Sequence, residues 1–303
     1  MTALFAKTIF RIAATARPAF LILTPCCLSP VVAFSLSEQP TINSWHLILI
    51  LLAGIAAHVS VNMFNEYEDF KTGLDFQTHR TAFSGGSGTL PQSPELACAV
   101  YTGAMVSLFF TLLIGLYFLS QERWSILPIG VLGVLLIYFY TNQITHRPMI
   151  CLIAPGMAFG PLMMCGAYMV LSGHFSWAVF SISLVVFLLV NNLLLLNQFP
   201  DLEADQNVGR LHLPILLGRQ KSARVYAAFT GLAYLVLMTN VAIDYLPVYS
   251  LLGLLGLVLA IPACQIVLHH SDDIPELRMA MGLNVAMTLI TPVLMAIGMV
   301  LSN

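Results

Sequence analysis

The amino-acid sequence predicts an all-α, polytopic membrane protein with nine transmembrane helices. Of its 303 residues, 58% are hydrophobic and only 9% are charged, whereas soluble globular proteins carry roughly 25% charged residues. Apolar runs of about twenty residues recur along the chain, and this is the length that a helix needs to cross a bilayer. A membrane β-barrel would alternate polar and apolar residues, and runs such as LLGLLGLVLAIPA do not alternate.

Nine apolar spans are separated by polar, proline or glycine turns within a single predicted domain, 1–303. We expect no cleavable signal peptide, because the first apolar stretch is continuous with the pattern that follows it. The six cysteines are expected to be small core hydrophobes, because they lie in or beside apolar runs and form no CxxC pair. The predicted spans lie near residues 18–36, 45–67, 95–119, 125–141, 149–172, 175–199, 223–243, 247–269 and 277–301.

The basic residues predict the orientation of the chain. With a cytoplasmic N-terminus and nine spans, all the lysines and arginines except Arg123 lie on the cytoplasmic side. Short cytoplasmic loops are rich in Lys and Arg, so this segregation favours that orientation. We therefore expect a multi-pass integral membrane protein, in contact with lipid and with no nucleic-acid partner. The sequence leaves the oligomeric state open.

Two acidic stretches interrupt this apolar chain. NEYEDFKTGLD (residues 65–75) ends the second span, and NQFPDLEAD (residues 197–205) ends the sixth, so both face the cytoplasm in the predicted topology. Asn65 and Asp69 correspond to Asn197 and Asp201 at one offset (197 − 65 = 201 − 69 = 132), which predicts two parallel four-helix repeats. Half of the fourteen acidic residues lie in the two stretches: Glu66, Glu68, Asp69, Asp75, Asp201, Glu203 and Asp205.

The spacing within each stretch predicts a metal site. Asn197, Asp201 and Asp205 recur every four residues and would share one face of a helix, with Pro200 bending it; Asn65 and Asp69 have the same spacing. Two facing sets of carboxylates would repel each other unless something positive lay between them. Carboxylate and amide oxygens suit Mg²⁺, which takes further ligands from substrate phosphate. The alternative is a set of solvated helix caps, which would scatter acids over all the loops.

Basic residues and a long loop accompany the acids in the predicted cytoplasmic motif loops, about 65–94 and 197–222. FSGGSGTLP (83–91) could expose backbone N–H groups to an anion or could simply be flexible. The whole loop from about 68 to 94 is longer than a simple connection requires, which favours a lid. The residues placed to contact a diphosphate are Lys71, Arg80, Arg147 and Arg210.

The paired motifs resemble those of the UbiA superfamily of intramembrane prenyltransferases. N-x-x-x-D-x-x-x-x-x-D and N-x-x-x-D-x-x-x-D carry the resemblance. Within this superfamily, the chain is most similar to the 1,4-dihydroxy-2-naphthoate prenyltransferase branch. Three features carry this similarity: the N-[D/E]-Y-x-D-x-x-x-G-x-D pattern with Gly73, the run 209–219 and the run 159–173. The resemblance covers nearly the whole chain and implies a UbiA-type bundle of nine helices.

The resemblance also implies a chemistry. Mg²⁺ would bind a polyprenyl diphosphate, and the allylic cation would alkylate a small aromatic acceptor, as in menaquinone-type quinone biosynthesis. Arg210 would contact the diphosphate, with Lys71 a weaker candidate, and Tyr140 would lie at the substrate. The carboxylates expected at the reacting centre are Asp69, Asp75, Asp201 and Asp205, and the metal-site residues are Asn65, Asp69, Asn197, Asp201 and Asp205.

The sequence departs from the family pattern in three places. Gln198 replaces an Asp that often follows the second-motif Asn. Ile144 stands where many members have a Lys four residues after Tyr140, so that His146 and Arg147 are the nearest bases. The stretch IAPGMAFG lacks a Glu that is frequent in the naphthoate branch, which leaves the acceptor open.

The sequence is also compatible with other functions. The acceptor could be a chlorin, haem, a homogentisate-like ring or a glycerol phosphate, or the prenyl chain could cyclise without an acceptor. A transporter is the non-enzyme alternative, and it would require coupling residues near the midplane. Near the midplane, Asn191 and Asn192 are expected to hydrogen-bond between helices, and His58 is expected to be a packed side chain.

Overall fold

The computed structural model describes residues 2–39, 41–78, 80–81 and 83–302, with side chains from residue 6 onward. Those residues form helices, turns and loops and contain no strand, which confirms the all-α prediction. The α-helices, in chain order, are α1 (Thr2–Thr15), α2 (Leu23–Glu38), α3 (Ser44–Thr72), α4 (Thr89–Gln92), α5 (Ala97–Ser120), α6 (Leu127–Phe139), α7 (Pro148–Met157), α8 (Met163–Ser172), α9 (Trp177–Asn197), α10 (Leu202–Asn207), α11 (Leu213–Leu217), α12 (Arg219–Ala242), α13 (Leu257–His269) and α14 (Ile274–Leu301).

Within the described residues, eight helical segments are long and apolar enough to cross a membrane. Each coincides with one predicted span to within a few residues. The remaining predicted span, 125–141, corresponds to the shorter apolar helix Trp124–Phe139. A transmembrane count of nine, like the cytoplasmic N-terminus, therefore stays a prediction. The eight segments are Pro18–Glu38, Ser44–Thr72, Pro94–Ser120, Pro148–Ser172, Trp177–Asn197, Arg219–Ala242, Val248–His269 and Ile274–Leu301.

The centre of the bundle is built around α9, whose side chains are mostly buried. Val186 and Leu189 of α9 belong to the largest core cluster, together with Leu28 of α2 and Met295 of α14. All six cysteines are free thiols, but only Cys27, Cys151 and Cys165 are buried. Cys98 is exposed, so the expectation of a core side chain is wrong there. Large apolar side chains elsewhere point outward, as expected of helices that face lipid rather than water.

A π-helical turn, Ala158–Leu162, joins α7 to α8 opposite α9. Pro161 lies in this turn and has no N–H to donate, so a regular α-helical ladder cannot pass through it. Gly156 and Gly160 let the backbone approach α9 closely, because a Cβ at Gly156 would lie 2.2 Å from the Phe187 carbonyl oxygen. The close approach allows the Gly156 N–H to donate to Asn191 Oδ1 at 2.7 Å.

The polar groups inside the spans pair with neighbouring helices. Asn192 Nδ2 donates to the Tyr226 carbonyl and to Thr230 Oγ1 of α12, both at 2.9 Å. His58 is buried, with Nδ1 3.1 Å from Thr24 Oγ1 and its ring edge-on to Phe159. These contacts confirm that the span asparagines bond between helices and that His58 is a packed side chain.

Gly156→Ala is expected to destabilise the bundle, because the added methyl group would clash with the Phe187 backbone as well as with the Asn191 side chain. We expect a loss of about 1–3 kcal/mol in the free energy of unfolding, measured as a lower unfolding midpoint in detergent. Gly133→Ala on α6 is the matched control, since a Cβ there meets nothing within 4 Å. An equal effect of both substitutions would contradict the packing role of Gly156.

Candidate active site

The two acidic motifs meet at the side chain of Arg210, at the end of the bundle where α3 and α9 end. Arg210 donates through Nη1 to Asp205 Oδ1 at 3.0 Å and through Nη2 to Asp69 Oδ1. Both carboxylates are buried, with at most 5% of either residue exposed. Burial disfavours the charge of the guanidinium, but Asp69 and Asp205 outweigh burial and raise the pKa of Arg210 above its usual value. One cation therefore holds the two motifs together.

The first motif lies on the last turns of α3 and just beyond them. Asn65 Nδ2 donates to Asp69 Oδ2, which confirms that the two side chains share one face. Gly73, at φ +80°, ends the helix in the left-handed region that glycine tolerates best. Asp75 follows in a short 3₁₀ turn and is buried, and its Oδ2 has no hydrogen-bond partner among the described residues. Burial, with Asp69 and Glu66, raises the pKa of Asp75 to about 7.

The second motif does not form the single helical face that its spacing predicts. The prediction is wrong because α9 ends at Asn197 and residues 198–201 turn before α10 begins. Pro200 explains the break, since it has no N–H for the Leu196 carbonyl and its ring obstructs that carbonyl. Asp201 lies at the first position before α10, and Asp205 lies one turn further on, where its N–H donates to the Asp201 carbonyl at 2.8 Å.

Asp201 carries the second unpartnered carboxylate oxygen of the site. Its Oδ1 is buried and has no hydrogen-bond partner within the described part of the chain. Burial and the charge of Asp205 raise the pKa of Asp201 to about 7, while the nearby Ser84 hydroxyl acts in the opposite direction. The side chain of Asn197 is half-buried and forms no hydrogen bond with any described residue. Unpaired oxygens of this kind attract a cation.

The other predicted substrate residues lie at varying distances from this centre. Tyr140 lies beside Cys151 and within electrostatic range of Asp69 and Arg210. Arg80 is exposed but close enough to Asp75 to act on its charge. By contrast, the ammonium group of exposed Lys71 lies 5.9 Å from the centre of a tyrosine ring, and Arg147 is exposed. The roles of all four residues stay predictions.

Sequence reasoning missed His212, which is 2% exposed. Its Nε2 lies 2.9 Å from Asp205 Oδ2, so that Asp205 is bound by Arg210 on one oxygen and by His212 on the other. The segment is further fixed by His146, whose Nδ1 lies 2.8 Å from the Gly209 carbonyl. A histidine two residues after the motif arginine was the available signal, but the run 209–219 was read only as a resemblance.

A second missed contact is the ion pair between Glu66 and Arg17. Glu66 is fully buried, and Arg17 donates to its Oε1 from Nε at 3.0 Å and from Nη2 at 2.9 Å. From the sequence, Arg17 is only one of the basic residues that predict the orientation, and Glu66 has no role separate from its motif. An acid inside an apolar helix requires a counter-charge, but the sequence does not say which of the distant basic residues provides it.

A cavity of about 360 Å³ is lined by Arg17 and Ser87, which bind Glu66, and by Ser84, which lies near Asp201. One wall is the N-terminal segment around Phe10, Ala14 and Phe20, and the other is the loop that follows the first motif. Apart from Arg17, the wall on the N-terminal side is apolar and aromatic, and the loop wall carries hydroxyl groups. The loop residues that line the cavity are Thr81, Phe83, Ser84, Gly86 and Ser87.

The donor set of the site fits Mg²⁺ in chemistry. Asp75 and Asp201 each have a buried oxygen without a partner, and carboxylate and amide oxygens are the ligands that Mg²⁺ prefers. Among the described residues, no three His, Cys, Asp or Glu side chains already stand together as a metal-binding group. Mg²⁺ commonly binds to one or two carboxylates and to substrate phosphate rather than to a complete protein cage, so the residues present suit an ion that arrives with a phosphate ligand.

Comparison with known families and proteins identifies the group to which the chain is related. The model of the UbiA prenyltransferase family matches residues 23–290. The chain belongs to the UbiA prenyltransferase family. This family membership confirms the resemblance seen in the motifs and the expectation of a prenyl-transferring enzyme. It also makes this UbiA family member an integral membrane protein.

Among curated relatives, the chain is 28% identical over 190 residues to a 1,4-dihydroxy-2-naphthoate octaprenyltransferase of Bacillus subtilis. That match covers 61% of this chain and 59% of the relative, so this chain spans less than two thirds of its length. A 2-carboxy-1,4-naphthoquinone phytyltransferase of Synechocystis is 25% identical, with 91% and 88% of the two chains covered.

Solved structures show the same fold. A digeranylgeranylglyceryl phosphate synthase superimposes with a TM-score of 0.68 at 16% identity, over 97% of this chain and 99% of the other. A UbiA homolog from Archaeoglobus fulgidus, bound to GPP and Mg²⁺, superimposes with a TM-score of 0.61 at 12% identity, over 96% and 99%. This UbiA family member therefore has the family's helical architecture along almost its whole length.

Asp201→Asn is expected to stabilise the metal-free protein at pH 8, because it removes a charge from a carboxyl group with an unpartnered buried oxygen. We expect a gain of about 1 kcal/mol in the free energy of unfolding without metal and a smaller stabilisation by added Mg²⁺, both measured by thermal unfolding. Glu203→Gln, two residues away and exposed, should change stability by less than about 0.5 kcal/mol. Lower metal-free stability of Asp201→Asn would contradict the assigned unpaired oxygen.

Proposed function

We propose that this protein transfers a polyprenyl group from a polyprenyl diphosphate to a small aromatic acceptor in the membrane, in a Mg²⁺-dependent reaction of menaquinone-type quinone biosynthesis. The observation that carries the proposal is the convergence of both carboxylate motifs on one buried cation, Arg210. A site that holds buried carboxylates around a positive group is suited to bind metal ions and the diphosphate that they accompany.

The relatives support both halves of this proposal. The two curated relatives are named for prenyl transfer to naphthalene-type acceptors, which favours a naphthoate-like ring here. The Archaeoglobus fulgidus neighbour is bound to GPP and Mg²⁺, which favours a prenyl diphosphate donor and this metal. The missing Glu in IAPGMAFG leaves the identity of the ring and the prenyl chain length to experiment.

In this proposal both motifs supply metal ligands. Mg²⁺ would be held by Asn65 and Asp69 from the first motif and by Asn197, Asp201 and Asp205 from the second, and would offset the negative charge of the departing diphosphate. Asp75 would contribute its unpartnered oxygen to the same cluster. His212 would hold Asp205 in orientation through its contact at 2.9 Å.

The basic residues would bind the diphosphate, so that its negative charge is compensated when it leaves. Arg210 is the first candidate, because it already lies between the motifs and carries five N–H donors in a fixed fork. Arg80 lies near Asp75, and Lys71 and Arg147 are exposed at the same end of the bundle, where they could approach a bound substrate. Tyr140 would face the reacting centre from the end of α6. We place this end on the cytoplasmic side, in accordance with the distribution of basic residues.

The cavity beside the carboxylates is the candidate position of the aromatic acceptor. Its aromatic side chains, Phe10 and Phe20 on one wall and Phe83 on the other, suit the faces of a planar ring, and the hydroxyl groups of the loop wall suit ring hydroxyl groups. An acceptor there would lie next to Gly86, which itself lies against Asp75 and Glu66. The ring would thus be close to the carbon released from the diphosphate, which is the arrangement that carbon–carbon bond formation requires.

Diphosphate release from a farnesyl or geranylgeranyl donor tests the reaction directly. We expect purified protein to release diphosphate with Mg²⁺ and 1,4-dihydroxy-2-naphthoate, and not with EDTA. Asp69→Ala and Asp201→Ala should each lower the rate at least 100-fold, because each removes a proposed metal ligand from a different motif (on the order of 3 kcal/mol in transition-state stabilisation).

Glu203→Gln is the matched control for this assay, because Glu203 is exposed in the second motif and has no proposed role. Release that is equally fast without any acceptor would indicate cyclisation or hydrolysis instead of transfer. No release with any donor, together with no Mg²⁺-dependent donor binding, would refute the enzyme assignment and favour a transporter.

Ala14→Trp tests the acceptor position. The large side chain would fill the cavity, so we expect at least a tenfold higher KM for the acceptor (about 1.4 kcal/mol) with donor binding unchanged, measured by steady-state kinetics and donor titration. Ala228→Trp on the outer face of α12 is the control, since Ala228 is exposed and is not among the residues that line the cavity. An unchanged KM for the acceptor in Ala14→Trp would place the acceptor elsewhere.

A further inference from the structure

Glu66 differs from the other acids of the two motifs, because both of its oxygens are occupied. Its Oε1 accepts from Arg17 and from the Ser87 backbone N–H at 2.6 Å, and its Oε2 accepts from Ser87 Oγ at 2.7 Å. Glu66 is fully buried, so these bonds are formed away from water and replace its hydration. Asp75 and Asp201, by contrast, each keep an unpartnered oxygen. Both Glu66 oxygens therefore already accept hydrogen bonds from the protein, and Glu66 is not available as a metal ligand.

The partners of Glu66 come from two parts of the chain that are distant in sequence. Arg17 lies between α1 and the first spanning segment, 49 residues before Glu66, and Ser87 lies in the loop 21 residues after it. Arg17 adopts a left-handed backbone conformation, at φ +52°. A non-glycine residue in this region is uncommon, and Arg17 is tied down there by its own N–H, which donates to the Ala14 carbonyl, and by its two side-chain bonds to Glu66.

The loop fixed in this way touches the carboxylates of both motifs. A Cβ added at Gly86 would lie 3.0 Å from Asp75 Oδ1 and 3.1 Å from Glu66 Oε1, so the Gly86 backbone rests directly on the first motif. Ser84 lies beside Asp201 of the second motif. Thr89 continues the attachment, since its hydroxyl donates to the Arg11 carbonyl of α1 at 3.4 Å. The segment 83–88, called the anchored loop from here on, thus covers the candidate site.

We propose that Glu66, Arg17 and Ser87 form an anchor that keeps the anchored loop closed over the site, so that water cannot reach the prenyl cation. This inference rests on the proposed function. Glu66 is a positioning residue in this account, and Arg17 supplies the charge that makes its burial possible. A neutral partner would not suffice, because a buried carboxylate with only hydrogen-bond donors leaves an uncompensated charge.

The anchor has a chemical consequence that a purely structural contact would not have. In productive turnover, the carbon–oxygen bond of the donor breaks and diphosphate leaves with the bonding electrons. The ring carbon of the acceptor forms the new bond, and the proton that it carried passes to the released diphosphate. If the anchored loop opens, water can attack the same carbon instead. Its oxygen then forms the new bond, its proton passes to the released diphosphate, and the products are the prenyl alcohol and diphosphate.

Two substitutions release the loop by different routes. Arg17→Gln removes the counter-charge of Glu66. Gly86→Ala leaves every charge in place, but it crowds the side chains of Asp75 and Glu66 and puts alanine at a φ of +71°, which strains the loop. Because the two variants share no altered side chain, misfolding of one does not remove the test. Arg123→Gln is the matched control, since it removes a half-buried arginine at the opposite end of α5, beside Gly173.

The first readout is hydrogen exchange of the full-length protein in lipid nanodiscs, without metal or substrate. Both variants should exchange the backbone amides of residues 83–88 at least roughly tenfold faster than wild type, because charge-assisted bonds hold the closed loop. Arg123→Gln should leave that exchange unchanged. Unchanged exchange of the anchored loop in both variants would overturn the anchor, whatever the enzymatic activity of the protein.

The second readout is the product ratio with Mg²⁺, donor and acceptor. The share of prenyl alcohol among the products should rise at least tenfold in both variants, and Arg17→Lys should restore part of the coupling by returning the charge. Slower turnover with an unchanged product ratio would overturn the water-excluding role. If wild type transfers no prenyl group to any acceptor, the proposed function fails, and the exchange experiment still decides whether the anchor exists.

Discussion

The contact of Arg210 with Asp69 and Asp205 is the interaction on which the candidate site depends. Asp69 lies 141 residues before Arg210 and Asp205 lies 5 residues before it. Both carboxylates are buried at one end of an apolar bundle, where a lone charge is unfavourable. The guanidinium compensates both and joins α3 to the segment after α10. Arg210 therefore brings the two motifs together before a substrate arrives. An entering metal ion or diphosphate would replace some of these contacts with its own.

The remaining polar contacts at this end of the bundle also pair buried charges with partners. His212 binds the second oxygen of Asp205, Arg17 compensates Glu66, and the loop after the first motif closes on the carboxylates through Ser87. The N-terminal segment thereby becomes part of the site, since it contributes both a counter-charge and the aromatic wall of the neighbouring cavity. A site that releases a reactive cation requires both electrostatic compensation and exclusion of water, and the same few residues supply the two.

Much of this arrangement could be predicted from the sequence, because a bilayer imposes strong rules on composition and length. The apolar runs located the eight long segments, and the four-residue spacing correctly placed Asn65 and Asp69 on one face. The same spacing failed in the second motif, where Pro200 ends α9 and residues 198–201 turn. The pairing of Glu66 with Arg17 was beyond reach, because periodicity shows which residues share a face and not which distant residue supplies a partner. The pairing of Asp205 with His212 had a local signal, the histidine two residues after Arg210, but no periodicity assigns that histidine to Asp205.

The central claim is that carboxylates from both motifs together bind Mg²⁺ ions that accompany a diphosphate. The most direct test is an experimental structure with Mg²⁺ and a non-reactive thio-analogue of geranylgeranyl diphosphate. We predict metal density bonded to Asp69 from the first motif and to Asp201 or Asp205 from the second, with the Arg210 guanidinium on the diphosphate. A diphosphate bound without metal, or metal bonded to one motif while Arg210 still joins Asp69 to Asp205, would contradict the account.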